Sequence, residues 1–248
     1  MDTLALPADR FIEGVLPLYG NVTLVTAERH GDLQLAPDAA FGFARDAAIV
    51  PLTMDEFERA ALDYPIVFFG PARRAFAVMG LTADRNLFVG ANDEVFRPGA
   101  YIPAYLRRHP FALVEDRDQG RWVLGVDETS VRLASAGATP LFADGEPTDA
   151  LRSVVAFCES YQNAQIRTEN WVRILDDFDL LEARQAHHRP LDDAEPVLLL
   201  DYAAVNRDRL EALDAAAIMR LQALGGWGPI YAHLFSAANW ERLAIASS

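Results

Sequence analysis

The chain has 248 residues, of which 51% are hydrophobic, and a formal net charge of −14. That is enough apolar material for one large domain or two small ones, and it excludes disorder by composition. No basic cluster interrupts the acidic composition, which argues against nucleic acid or an anionic lipid surface as a partner.

All 22 basic residues are arginine. This excludes a lysine Schiff base, a P-loop lysine and a lysine general base. Cys158 is the only cysteine, so no intrachain disulfide and no cysteine-rich zinc site are expected. Its neighbours Val154, Val155, Phe157 and Tyr161 mark it as a buried structural thiol. No run reaches the roughly 18 apolar residues of a membrane span. The Met1 to Pro7 stretch has neither the positive region nor the apolar run of a signal peptide, so the expected location is cytoplasmic.

In chain order, residues 10–50 read as irregular or β, with a β-branched run at Val22 to Val25. Gly31, Pro37 and Gly42 punctuate the chain beyond that run. Thr53 and Glu56 have capping-box spacing, which predicts a helix from Met54 to about Asp63, stopped by Tyr64-Pro65. Ile66 to Phe69, Phe76 to Leu81 and Asn86 to Val89 predict three short strands of an antiparallel meander. Phe111 to Val114 and Arg121 to Val126 predict a hairpin across the polar turn from Asp116 to Gly120. Asp144-Gly145 marks a tight turn after Leu141-Phe142.

From Thr148 onward apolar residues recur at helical spacing through Leu181. This predicts one long helix, or two joined near Asn163 to Thr168. His187 to Pro196 reads as a loop and Val197 to Asp201 as a strand. A short helical piece ends at Leu213. Asp214 caps a helix from Ala215 to Leu224, closed by Gly225-Gly226. Pro229 opens a last helix reaching about Leu243. The fold class expected is α+β, an antiparallel β-rich N-terminal half with a helical C-terminal half. It is read as a single domain over 1–248, with a subdivision near 147 left open.

The densest stretch runs from Tyr101 to Phe111, with three aromatics, two prolines, two arginines and a histidine. Pro103 suits a first helical turn, and His109-Pro110 ends the helix. Tyr101 and Tyr105 share a face. Arg107 and Arg108 are either solvated cations or partners of a carboxylate, from the protein or from a ligand. The hairpin next in the chain brings Asp127 back beside them, so an Asp127 salt bridge to Arg107 or Arg108 is expected. Asp127 and Glu128 point to opposite faces of a strand, which argues against a catalytic pair.

The remaining chemistry is sparse. No nucleophile elbow, Walker loop, dinucleotide fingerprint or zinc-protease helix is present. His187-His188 with Asp192 and Asp193 form a poor metal set, since adjacent loop side chains diverge. No metal, cofactor or catalytic residue is assigned. On the last helix, Ile230, Tyr231, Leu234, Phe235, Ala238 and Ile245 form the apolar side. His233, Ser236 and Asn239 form a polar stripe opposite, which reads as a solvated face or as a ligand-binding one.

Several blocks resemble the bacterial SapC family. They are Val50-Pro51-Leu52 with Glu56-Phe57, and Tyr64 to Phe68. Next come Gly80-Leu81 with Asn86 to Val89, and Tyr101 to Tyr105 with Arg107 to Phe111. Asp127-Glu128 and Leu141 to Glu146 come after these, and Ile230 to Ser236 with Asn239 closes the set. The resemblance spans about 45–243, in order. Tyr202 to Val205 departs from the pattern. Members are associated with bacterial surface layers, and resemble products encoded beside outer-membrane TonB-type receptors and flavin-dependent halogenases. The resemblance thus implies a cell-surface association, which the absent signal peptide does not support, and it carries over no catalytic residue.

Two functions are compatible with these residues. One is a non-catalytic accessory or interaction protein linked to a surface layer or to uptake. The other is a ligand-binding protein or enzyme whose pocket gathers Arg107, Arg108, Asp127, His233, Ser236 and Asn239, beside Tyr101 and Tyr105. The lack of a catalytic signature favours the first. The partner or ligand is not identified by sequence.

Overall fold

The computed structural model describes residues 18–36, 40–82, 84–90, 95–116, 120–134, 138–188 and 197–247. The fold is α+β, with antiparallel sheets mainly in the N-terminal half and helices in the C-terminal half. The loop read at Arg189 to Pro196, with Asp192 and Asp193, lies outside the described residues. So do the N-terminal stretch, Pro37 and the middle of the turn after Asp116.

The main sheet has five antiparallel strands. In spatial order they are Leu181–His188, Val197–Val205, Ile66–Phe69, Arg74–Val78 and Ile49–Pro51. The meander is thus built of two hairpin halves far apart in sequence, joined where Ala203 faces Phe68. The strands Ile66–Phe69, Arg74–Val78 and Ile49–Pro51 are largely apolar because both faces are covered: Val67, Phe68, Ala77 and Val50 are fully buried. Asn86 to Val89 is not the third strand expected. It forms turns, with an isolated bridge from Val89 to Phe96. The reason is that the Asn86 side chain competes for the backbone: its Oδ1 accepts from the Phe88 N–H and its amide donates to the Ala44 carbonyl.

Phe111–Asp116 and Arg121–Asp127 form the expected hairpin, but in a separate three-stranded sheet completed by Val22–Leu24. Phe142–Ala143 and Glu146–Pro147 close over Asp144 and Gly145, both at positive φ, as a two-residue hairpin turn requires.

The helix after Thr53 is shorter than expected. A 3₁₀ turn, Met54–Glu56, runs into Phe57–Ala60. From Thr148 a single helix runs Asp149–Asp177 without a break. Thr168 does not interrupt it. Its hydroxyl donates to the Ala164 carbonyl and accepts the Met54 N–H, so the residue docks the capping turn onto the helix. Leu181 does not continue the helix but opens the Leu181–His188 strand, and His187 belongs to that strand rather than to a loop.

The long helix joins two hydrophobic clusters. Tyr161, Trp171, Val172 and Leu175 enter the large core around the main sheet. Leu151 and Cys158 enter a smaller one with Phe111, Val126 and Leu141. The Tyr101 to Phe111 stretch runs between the two.

The last helix is two helices, Trp227–Ser236 and Asn239–Ser247. Its faces do not divide as expected, although Ile230 is buried and Leu234 packs on the core. His233, Ser236 and Asn239 are buried, while Tyr231, Phe235 and Ile245 are exposed. The stripe is buried because it satisfies backbone groups of the neighbouring elements. His233 Nε2 accepts the Val205 N–H at 3.0 Å. Ser236 accepts the Ile66 N–H at 2.9 Å and donates to the His233 carbonyl. Asn239 donates to the Ala61 carbonyl at 2.8 Å. His233 and Ser236 fasten their helix to both halves of the main sheet, and Asn239 fastens the start of the last helix to the end of Phe57–Ala60.

Candidate functional site

Pro103 precedes the short helix Ala104–Arg107, and the N-terminal N–H of Ala104 donates to Glu56 Oε1 at 2.6 Å. Glu56 is buried and acts twice. Its Oε1 also accepts from the Tyr101 hydroxyl, and its Oε2 accepts from the Thr53 N–H and hydroxyl. One carboxylate therefore caps two helical turns and fixes where Arg107 and Arg108 emerge.

The two arginines then diverge. Arg107 is exposed, donates to the Ile102 carbonyl and to the Tyr101 hydroxyl, and lies over the Phe157 ring at 5.2 Å. Arg108 is only 6% exposed. Its guanidinium sits 4.5 Å from the Tyr105 ring centre, 4.4 Å from that of Tyr161 and 5.8 Å from that of Tyr19. Burial raises the pKa of all three tyrosines, to about 12 for Tyr105. They surround the cation as neutral rings.

Asp127 does not pair with either arginine. Phe111 lies opposite Val126, and the Asp127 N–H donates to the Pro110 carbonyl. The carboxylate faces the incoming chain instead, accepting from the Gly20 and Asn21 N–H groups and from the Thr129 N–H and hydroxyl. Burial works against its charge, but these donors prevail and its pKa lies below the usual range. Its nearest cationic candidate is His109 Nε2 at 3.7 Å. His109 is stacked on Phe43 at 3.8 Å, and burial, helped by the Arg132 charge, holds its pKa down to about 4. Glu128 points the other way, to Arg29, chiefly through the hydrogen bond that lowers its pKa to about 2.

A cavity of about 190 Å³ opens between the short helix, the hairpin and the long helix. Arg107, Arg108, Arg132 and neutral His109 line it. Leu35, Phe111, Val154 and Phe157 supply a carbon wall, and Ser153 stands at its exposed edge. Arg132 donates to the carbonyls of Leu106 and His109. Among the described residues, no carboxylate forms an ion pair with these three arginines. Arg108 Nε, Arg132 Nε and His109 Nδ1 are buried there without a hydrogen-bond partner.

That is an unbalanced arrangement. Desolvating a cation costs several kcal/mol. Three aromatic faces at about 1–2 kcal/mol each offset much of it. The unmade bonds still cost about 1–3 kcal/mol apiece. An anion entering the cavity would supply a counter-charge that no lining residue provides.

The SapC family model matches residues 25–243. The chain belongs to the SapC family. No curated protein and no solved structure shows a significant match. Within this SapC chain the structure gathers Tyr101, Tyr105, Arg107 and Arg108, with Asp127 reaching the group through His109. His233 and Ser236 are spent on the main sheet and Asn239 on the Ala61 carbonyl, and none of them lines the cavity. Sequence reasoning missed Arg132, Tyr19 and Glu56 as partners of this group. Arg132 lies in an unremarkable run, and Tyr19 comes from a segment with no pattern. Glu56 was visible as half of a capping box, and its second role was not.

Proposed function

We propose that this SapC-family chain is a non-catalytic accessory protein that holds a small anionic ligand in the arginine-lined cavity. The observation that carries this reading is Arg108. It is a buried cation with an unpartnered Nε, lining a cavity in a chain of net charge −14. A guanidinium keeps its charge at any working pH and forks onto carboxylate or phosphate. The buried histidines His109 and His233 are held neutral and serve packing and backbone capping, which supports binding over proton-transfer chemistry. The surface-layer or uptake setting is the wider role that family membership suggests.

The test is thermal denaturation with sodium benzoate, sodium phosphate and sodium chloride at equal ionic strength. A ligand that binds the native state raises the melting temperature with concentration. Wild-type protein is expected to rise with benzoate or phosphate beyond the chloride control, and Arg132→Gln to lose that response. Equal response to all three salts overturns the reading. Fractionation of the producing cells tests the setting: recovery entirely in the cell interior, away from envelope fractions, contradicts it.

A further inference from the structure

We infer that the ligand class is a compact monocarboxylate with a flat or branched apolar body, of about the size of benzoate. This rests on the anion-binding reading above and narrows it. Size comes first. A cavity of about 150 Å³ lined by aliphatic and aromatic carbon accommodates benzene. The 190 Å³ found here holds one such ring and a small head group. Drug-sized ligands need about 300 Å³ or more.

Wall chemistry comes second. Arg107, Arg108 and Arg132 line the cavity together with Leu35, Phe111, Val154 and Phe157, so cationic and apolar groups border the same space. Inorganic phosphate would leave those apolar groups wet. A neutral aromatic would leave the guanidinium charge without a counter-ion. A ligand with one acidic end and one apolar end satisfies both. Polarity along the axis comes third. Arg108, His109 and Phe111 are buried while Arg107 and Ser153 are exposed, so the mouth is polar and the carboxylate lies inside against Arg108 and Arg132. His109, kept neutral, adds no charge, and Asp127 is already occupied by its own donors. The cluster thus keeps a net positive charge for a single carboxylate.

The experiment is isothermal titration of wild-type protein with benzoate, with benzamide as its uncharged isostere, and with phosphate. Benzoate is expected to bind at least about tenfold more tightly than either, a difference of about 1.4 kcal/mol or more. Phosphate binding as well as benzoate overturns the class and leaves the anion site standing. Benzamide matching benzoate, or no binding by any probe, overturns both. Two variants locate the site. Arg108→Gln should weaken benzoate by tenfold or more. Val154→Phe, which fills the cavity from the half-buried face of the long helix and removes no charge, should do the same while leaving the circular dichroism spectrum unchanged. Benzoate affinity retained in a folded Val154→Phe protein places the binding elsewhere and refutes the inference.

Discussion

Acid should destabilise this protein well above the carboxylate range, and two histidines set the size of the effect. His109 and His233 are both held near a pKa of about 4 by burial, against an ordinary value of 6.5. The native state keeps them neutral, while the unfolded chain protonates them below 6.5. Between those limits the unfolded state binds more protons, so stability falls as pH falls. At 1.36 kcal/mol per pH unit for each group, the loss is about 3 kcal/mol per histidine by pH 4. With both acting, the slope near pH 5 is about 2 kcal/mol per pH unit. Against a total stability of about 5–15 kcal/mol this is a large share. Urea denaturation at several pH values from 7 to 4.5 measures it. His233→Gln, whose amide oxygen can still accept the Val205 N–H, should halve the slope. His109→Phe should do likewise and keep the stack on Phe43. A stability that is flat from pH 6.5 to 5 would falsify the argument, and an undiminished slope in His233→Gln would remove that residue from it.

Glu56→Ala should cost about 3–5 kcal/mol, because it strands the buried N–H groups of Thr53 and Ala104 together with the Tyr101 hydroxyl. Glu56→Gln should also destabilise, by about 1 kcal/mol or more, since its amide turns a donor toward donors; wild-type stability in that variant refutes the assignment. Asp127→Ala should cost about 3 kcal/mol through the lost anchors to Gly20, Asn21 and Thr129. Arg107→Ala should cost little, and the two effects should add in a denaturation cycle, because the residues share no partner. A coupling above about 0.5 kcal/mol would revive the ion pair. Cys158, buried and with its thiol pushed up to about 11, should resist iodoacetamide at neutral pH until denaturant opens the fold. Rapid modification of the native protein would show that the smaller core opens locally.

Local rules read from the sequence account for much of this molecule. The Thr53–Glu56 box, the Asp144-Gly145 turn, the Phe111 to Val126 hairpin, the Asp214 cap and the short helix after Pro103 each depend on neighbours within a few residues. Their side chains and backbone angles settle them wherever the chain goes. The order of blocks also identified the family. Tertiary structure decided what those elements meet. Whether Asp127 faces Arg108 or the Gly20–Asn21 backbone depends on which strand lies at the far edge of its sheet, and that strand comes from about a hundred residues away. Whether His233, Ser236 and Asn239 face water depends on which free backbone groups the neighbouring elements present to them. A polar stripe looks the same in sequence whether it is solvated or fastening two strands. Arg132 and Tyr19 join Arg108 through packing alone, with no spacing to announce them. The candidate site is a property of three elements meeting, and the chain specifies it only through the fold as a whole.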